Sequence, residues 1–369
     1  MPIQNNIRKY QTLFNVLSGI LAMIVQIATN FFLTQYIVGT LGEVANGFTQ
    51  LANNFVTYAS LITIAFNSMA GRFISVSYHR GEKDKVQAYY SSTIACNLIV
   101  SAVLIPLAVF LILHLNHVIV VGNADLYDVQ TLFTCVFLNF EANLAVSVYS
   151  INLFVNNRIY LQNIINLFRN VLNAILLLCM FAILPAKMYY VSLAATIWTF
   201  VSIPVYRLLQ TYYMKELKFA VKNFRVSAIK DLIRSGIWNT VNQCGHMLMT
   251  GLDLLLCDLF ISPAAMGVLS VAKTIPNAII SLANILNSSF APELTIDWAK
   301  GNQKEIMKQL RNSMMVSSII VSIPIMTFCS FSVPFYTLWM PTLNAKTLAE
   351  LSFLTCMAFI PWAGPQTLY

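Results

Sequence analysis

The chain is a succession of apolar runs about 20 to 30 residues long, separated by short polar connectors. A helix rising 1.5 Å per residue needs about 20 apolar residues to cross a hydrocarbon core of roughly 30 Å, so each run is long enough to span one. Unbroken apolar stretches of this length exclude a β-barrel, whose strands alternate over roughly ten residues. Ten such spans are read, over residues 12–38, 46–70, 87–113, 127–155, 159–184, 188–214, 232–260, 264–291, 312–333 and 347–369. With 58% hydrophobic and 10% charged residues, a water-soluble fold has too little polar material to cover its surface.

The first run is too long for the apolar region of a signal peptide and has no small-residue cleavage site, so it is expected to stay in the mature protein. Seven cysteines (Cys96, Cys135, Cys179, Cys244, Cys257, Cys329 and Cys356) sit singly in or beside apolar runs. With no CxxC spacing and no paired histidine they read as small packing residues, and no metal or other cofactor is expected.

Orientation follows from the basic residues, because cytoplasmic connectors retain Lys and Arg. Alternating the spans puts 19 of the 22 on one side, counting Arg169 inside the fifth span, and leaves Lys187 and Lys346 opposite. The N-terminus is therefore expected in the cytoplasm. The same skew accounts for the net charge of +8. Basic loops on that side read as contacts to an anionic leaflet, and without a basic face or stacking module no nucleic acid is expected as a partner. Tyr89, Tyr90, Tyr189, Tyr190, Tyr212, Tyr213, Trp298, Tyr336 and Trp339 fall where spans meet connectors, as an interfacial aromatic belt would.

Shifted by 220 residues, Ala45 to Ser92 aligns with Ala265 to Asn312 without a gap. Ala45 meets Ala265, Gly47 meets Gly267, Ala52 meets Ala272, Asn67 meets Asn287, Ser68 meets Ser288 and Gly81 meets Gly301. The shift also superposes span boundaries. It covers six helices, an even number, so two halves of like orientation are expected, related by an axis along the membrane normal. The basic stretch Lys215 to Arg234 divides them into lobes of residues 1–218 and 219–369. The second lobe stops at Tyr369 in its fourth helix, so a truncated chain is expected.

Polar residues at helical spacing inside a span point to a bundle interior or a watery cavity. Helix two carries Asn53, Thr57, Ser60 and Asn67, and its repeat partner, helix eight, carries Lys273, Asn277, Asn284 and Asn287. Helix seven carries Asn239, Gln243, His246, Thr250 and Asp253, and helix one answers with Gln26 and Asn30. These seams are expected to face a shared central cavity, or else to bond helix to helix. Asp253 and Lys273 lie about 14 to 17 Å down antiparallel helices and can pair. Glu141 and Arg169 lie roughly 18 to 24 Å deep on helices four and five and form a second expected pair, serving as a structural ion pair or in coupling. His246 is expected to serve proton coupling, because an imidazole ordinarily titrates near neutral pH.

Leu41-Gly42 followed by Gly47, then Arg72 through Ser75, Gly81 and Lys83, with the echo at Pro263, Gly267, Pro292, Gly301 and Lys304, resembles the lipid-linked oligosaccharide flippases. These are the polysaccharide-export branch of the multidrug/oligosaccharidyl-lipid/polysaccharide exporter superfamily. The resemblance implies an all-α polytopic bundle of twelve or more helices, of which about ten are seen, in two six-helix lobes alternating between inward-open and outward-open states. It implies a polyprenyl-pyrophosphate-linked oligosaccharide as substrate, the bacterial inner membrane as location, and membrane lipids and a polysaccharide polymerase or export machinery as partners. Lys273, helped by Arg72 or Arg169, would hold the pyrophosphate, with proton or sodium coupling.

Two other readings compete. A cation-coupled multidrug exporter of the same superfamily wants a carboxylate-lined cavity, for which Glu141 and Asp253 are the acids. A membrane-embedded glycosyltransferase or polymerase needs an extramembrane acid pair, and the short external connectors offer Asp125 and Asp128. A transporter, not an enzyme, is the expectation.

Overall fold

The computed structural model describes residues 2–122, 124–281 and 303–363, and among them there is no strand. In chain order the helices are α1 (Pro2–Leu41), α2 (Glu43–His79), α3 (Lys83–Leu113), the single turn α4 (Leu115–Val118), α5 (Leu126–Val155), α6 (Ile159–Ile183) and α7 (Tyr190–Tyr213). A 3-10 turn (Val221–Asn223) leads to α8 (Val226–Thr250), α9 (Leu252–Phe260) and α10 (Pro263–Ala272). Then follow α11 (residues 274–281 as far as described), α12 (Gln303–Trp339) and α13 (Ala345–Ala363).

Eight stretches of the described helices are long and apolar enough to cross a membrane: Leu17–Leu41, Glu43–His79, Lys83–Leu113, Leu126–Val155, Ile159–Ile183, Tyr190–Tyr213, Pro263–Ser281 and Met307–Trp339. They match eight of the ten expected spans. The seventh, read as one helix over 232–260, is interrupted at Gly251 and becomes α8 and α9. The tenth is α13, whose expected end at 369 lies outside the described residues.

The helix ends have local causes. Gly42 (φ 83°) and Gly81 (φ 74°) take the left-handed conformation that turns the chain after α1 and after α2. Asp125 caps α5 by accepting a hydrogen bond from the Tyr127 N–H at 3.0 Å. Between Asn67 and Gly81 nothing breaks the helix, so α2 continues to His79 instead of stopping at 70. At 37 residues it is about 55 Å long and overruns the hydrocarbon core. Arg72, expected in a loop, is an exposed helical residue.

The repeat is visible in the helix starts. Glu43 and Pro263 open α2 and α10, separated by the same 220 residues.

The chain forms two compact units, one of Met1–Asn30 with Phe48–Pro263, the other of Phe31–Gly47 with Ala264–Tyr369. In the first, Phe66, Ala70 and Ile74 of α2 pack with Val86 and Tyr90 of α3, Val148 and Ile151 of α5, and Leu232 of α8. The basic connector after α7 is strapped to the start of α3. Met214 and Leu217 enter that core, Ser92 Oγ accepts from the Arg225 N–H at 3.0 Å, and Lys83 pairs with Glu216 at 3.1 Å. Asn15 ties α1 to the α5–α6 turn by donating to Asn157 Oδ1 (2.9 Å) and accepting from the Tyr160 N–H (2.8 Å).

In the second unit, Val38, Val271, Ala272, Tyr336, Trp339 and Leu348 form one apolar cluster and Ile279, Ile280, Val321, Ile325, Cys356 and Phe359 another. The repeat-related glycines meet here. A Cβ on Gly47 would stand 3.0 Å from the Gly267 Cα, and one on Gly267 would stand 2.6 Å from the Glu43 backbone. Two glycines let the helix starts touch backbone to backbone, the close approach that small residues allow in membranes.

The aromatic belt needs correction. Tyr90, Tyr190, Tyr336 and Trp339 are buried, and Trp298 lies outside the described residues. Adjacent aromatics on a helix point about 100° apart, so one ring of a pair turns inward while its neighbour faces out, as buried Tyr90 and half-buried Tyr89 do.

Candidate functional site: two interrupted helices and a polar network

Both helices that carry an expected central charge are interrupted beside it. In the second unit the cause is Pro276. It has no N–H to give the carbonyl four residues back, so the Ala272 oxygen loses its helical partner. Two hydroxyls replace it: Ser352 Oγ donates at 2.8 Å, and Tyr336, whose hydroxyl lies 2.6 Å from Ser352 Oγ, donates at 3.3 Å. Lys273, the next residue, separates α10 from α11 and is only 3% exposed. An ammonium buried at mid-span is costly, and in membranes such residues line ion or substrate paths. Near it, Asn46 Nδ2 donates to Ser270 Oγ at 2.8 Å.

In the first unit α8 stops at Thr250, and the carbonyl of Gly251 accepts from Tyr58 Oη at 2.7 Å and Asn54 Nδ2 at 3.0 Å. Asp253, in the first turn of α9, accepts from the Leu254 N–H at 2.9 Å. Its carboxylate thus sits at a helix start, where the dipole favours negative charge. Asp253 and Lys273 belong to different units.

The remaining expected residues are dispersed. Gln26, Asn30, Asn53 and Arg72 are exposed residues of α1 and α2 in the first unit, and Asn53 Nδ2 is engaged with the Thr49 carbonyl of its own helix at 2.9 Å. His246 is half-buried on α8. Asn277 is exposed in the second unit, while Asn284 and Asn287 lie outside the described residues.

The expected pair of Glu141 with Arg169 does not form. Arg169 Nη1 donates instead to Asn143 Oδ1 at 3.2 Å. Glu141 and Asn143 are two residues apart, about 200° around the helix, so the face that meets α6 presents the amide and turns the carboxylate away. Asn143 Nδ2 in turn donates to Asn139, whose Oδ1 accepts from Thr199 Oγ1 of α7 at 3.1 Å. A chain of polar groups therefore links α5, α6 and α7.

Several of these partners were missed from sequence: Tyr58 and Asn54 on Gly251, Ser352 and Tyr336 on Ala272, and Asn143 on Arg169. Asp258 was also missed. It is 1% exposed and accepts from the Val120 N–H at 2.9 Å. The proline at position 276 was the one available signal, since it marks the carbonyl that must find a donor elsewhere.

The acid pair of the enzyme reading is already engaged. Asp125 caps α5, and Lys187 lies 3.9 Å from Asp125 and 3.3 Å from Asp128. Among the described residues no group of three or more His, Cys, Asp or Glu could hold a metal.

The fold is similar to that of solved structures of multidrug resistance MATE family transporters of the MOP superfamily. An outward-facing structure of one aligns with 96% of this chain and 83% of its own at 11% identity and a TM-score of 0.62. An inward-facing structure aligns with 97% of this chain and 81% of its own at 14% identity and a TM-score of 0.55. At such identities the likeness is one of fold.

The family comes from the sequence. Residues 10–295 match the model described as polysaccharide biosynthesis protein, and the chain belongs to that family. A relative from Bacillus subtilis (strain 168), described as uncharacterized membrane protein EpsK, is 28% identical over 357 residues, covering 94% of this chain and 70% of its own.

Proposed function

We propose that this protein moves a polyprenyl-pyrophosphate-linked oligosaccharide from the cytoplasmic to the outer face of a bacterial inner membrane by alternating access, with its N-terminus in the cytoplasm. The observation that carries the reading is Lys273, a cation 3% exposed at the proline-made interruption of α10 and α11, in a chain of the polysaccharide biosynthesis family. A helix interrupted within the membrane with an ionised side chain at the break is how transporters of several folds present charge to a substrate. An ammonium there suits a pyrophosphate as a point charge. Asn277 and Asn284 on the same span, with Gln26, Asn30 and Asn53, are assigned to sugar hydroxyls, and Arg72 to the negative charge at the basic end. Proton or sodium entry is the proposed drive, with Asp253, His246 and Glu141 as its groups. The engagement of Asp125 and Asp128 in a helix cap and in pairing with Lys187 supports transport over glycosyl transfer.

The test is deletion of the gene in its host, followed by assay of lipid-linked oligosaccharide on the cytoplasmic face and of sensitivity to cationic drugs. Accumulation reversed by a plasmid copy, but not by a Lys273→Ala copy present at normal membrane levels, is the expected result. Unchanged lipid intermediates with raised drug sensitivity refute the proposal and move the protein to the exporters. Wild-type transport by Lys273→Ala removes that residue from the site.

A further inference from the structure

Two of the chain's four histidines, His114 and His117, stand together at the end of α3 remote from the basic connector. Neither belongs to the polar network or to the interrupted helices, and their chemistry is independent of what the protein carries. Both side chains are exposed. His114 is the C-cap of α3 and His117 lies in the single turn α4. The His117 N–H donates to the His114 carbonyl at 2.9 Å, closing one turn of chain between them. That turn brings the two rings to 6.4 Å between centroids, with their planes inclined by 32°.

One of the rings is already set for ligation. His114 Nδ1 lies 3.0 Å from the Phe110 carbonyl oxygen. A carbonyl only accepts, so Nδ1 carries the proton and the lone pair of the neutral ring is left on Nε2. Metal-binding histidines are oriented in this way, with the other ring nitrogen donating to a carbonyl or carboxylate. The same ring stacks on Phe110, at 4.5 Å between centroids and 30° between planes, which further limits its rotation. His117 makes no side-chain hydrogen bond among the described residues, so either of its nitrogens can serve as a ligand. Two imidazoles bound through nitrogen at about 2 Å to one tetrahedral ion have ring centres about 5 Å apart. Rotation of the exposed His117 side chain closes the difference. A cation held there also sits at the C-terminal, negative end of the 31-residue α3. We propose that His114 and His117 form a bis-imidazole site for a divalent transition ion such as Ni²⁺ or Zn²⁺, with water completing its shell. Imidazole suits these ions, whereas Mg²⁺ and Ca²⁺ take oxygen ligands. His79 supplies the internal comparison. It is exposed and its Nδ1 is likewise tied, at 2.8 Å, to the Ser75 carbonyl, but the ring beside it is Tyr78 and not a second imidazole.

The experiment uses the purified, untagged full chain in dodecyl maltoside, titrated with nickel chloride and separately with zinc chloride by isothermal calorimetry. Thermal unfolding is followed in parallel by tryptophan fluorescence. Wild type is expected to bind one ion per chain saturably at this site, with a rise in Tm, because an ion that binds only the folded turn stabilises it. His114→Ala and His117→Ala should each raise the half-saturating concentration about tenfold or more and abolish most of the Tm rise, while His79→Ala changes neither. Both target side chains are exposed, so the variants keep the fold and the comparison stays like for like. No saturable binding of either ion by wild type overturns the proposal. So does half-saturation unchanged in either His114→Ala or His117→Ala, since thiols or another group would then hold the ion. A loss in His79→Ala equal to theirs overturns it as well, because a single oriented imidazole would then suffice.

Discussion

The proline break in the second unit makes a prediction that can be worked through in numbers. Pro276 leaves the Ala272 carbonyl without a helical donor, and Ser352 and Tyr336 supply the replacement at 2.8 and 3.3 Å. Ser352→Ala removes the shorter bond, but the Tyr336 hydroxyl, already 2.6 Å from Ser352 Oγ, is free to turn fully onto the carbonyl. The single change should therefore cost only about 0.6 to 1 kcal/mol, in the range measured for hydrogen bonds between membrane helices. Tyr336→Phe should cost a similar amount. Together they orphan a carbonyl in a fully buried setting, and the double variant should lose about 2 to 3 kcal/mol, more than the two singles combined. Restoring the missing N–H with Pro276→Ala gives the carbonyl a partner inside its own helix, so the double change in that background should cost at least about 1 kcal/mol less. The assay is unfolding of the purified protein in mixed micelles with sodium dodecyl sulfate, followed by circular dichroism, for all members of the cycle. An equal penalty with and without Pro276 would refute the reasoning, because the hydroxyls would then be stabilising something other than the freed carbonyl.

Two further outcomes follow from close contacts and capping. Gly267→Ala places a Cβ 2.6 Å from the Glu43 backbone, which cannot swing aside as a side chain can, so the starts of α2 and α10 must part. A loss of about 1 to 3 kcal/mol is expected in the same unfolding assay, and an unchanged midpoint would show that the contact is not as tight as the structure has it. Asp125→Ala removes the α5 cap and should cost about 0.5 to 2 kcal/mol, while replacing both Asp125 and Asp128 should leave the transport rate per folded molecule unchanged. Complete loss of activity in that double variant would instead favour catalysis at those acids.

The membrane-spanning architecture was legible because the bilayer imposes a length and a polarity that show directly in the run of residues. The 220-residue shift read from weak matches such as Gly47 with Gly267 reappears as the interval between the starts of α2 and α10. The site was only partly legible. A polar stripe reports that a helix face avoids lipid, but not which neighbour it meets. Asn67, for instance, spends its amide on a reciprocal pair with Asn97 of α3, at 2.9 and 3.1 Å.

What the sequence determined by itself is therefore the presence and approximate extent of the long apolar helices and the identity of the few charges among them. Local composition suffices for that, because an isolated helix in lipid must satisfy its own backbone. Only the tertiary structure decided what each charge and each broken hydrogen bond meets. Arg169 faces Asn143 and not Glu141 because a rotation of 200° around α5 separates the two, and the packing of α6 selects the amide face. The carbonyls at Ala272 and Gly251 are satisfied by residues 64 to 80 and 193 to 197 positions away. No local pattern encodes partners at those separations, because they are brought together by packing between helices and not by periodicity along one.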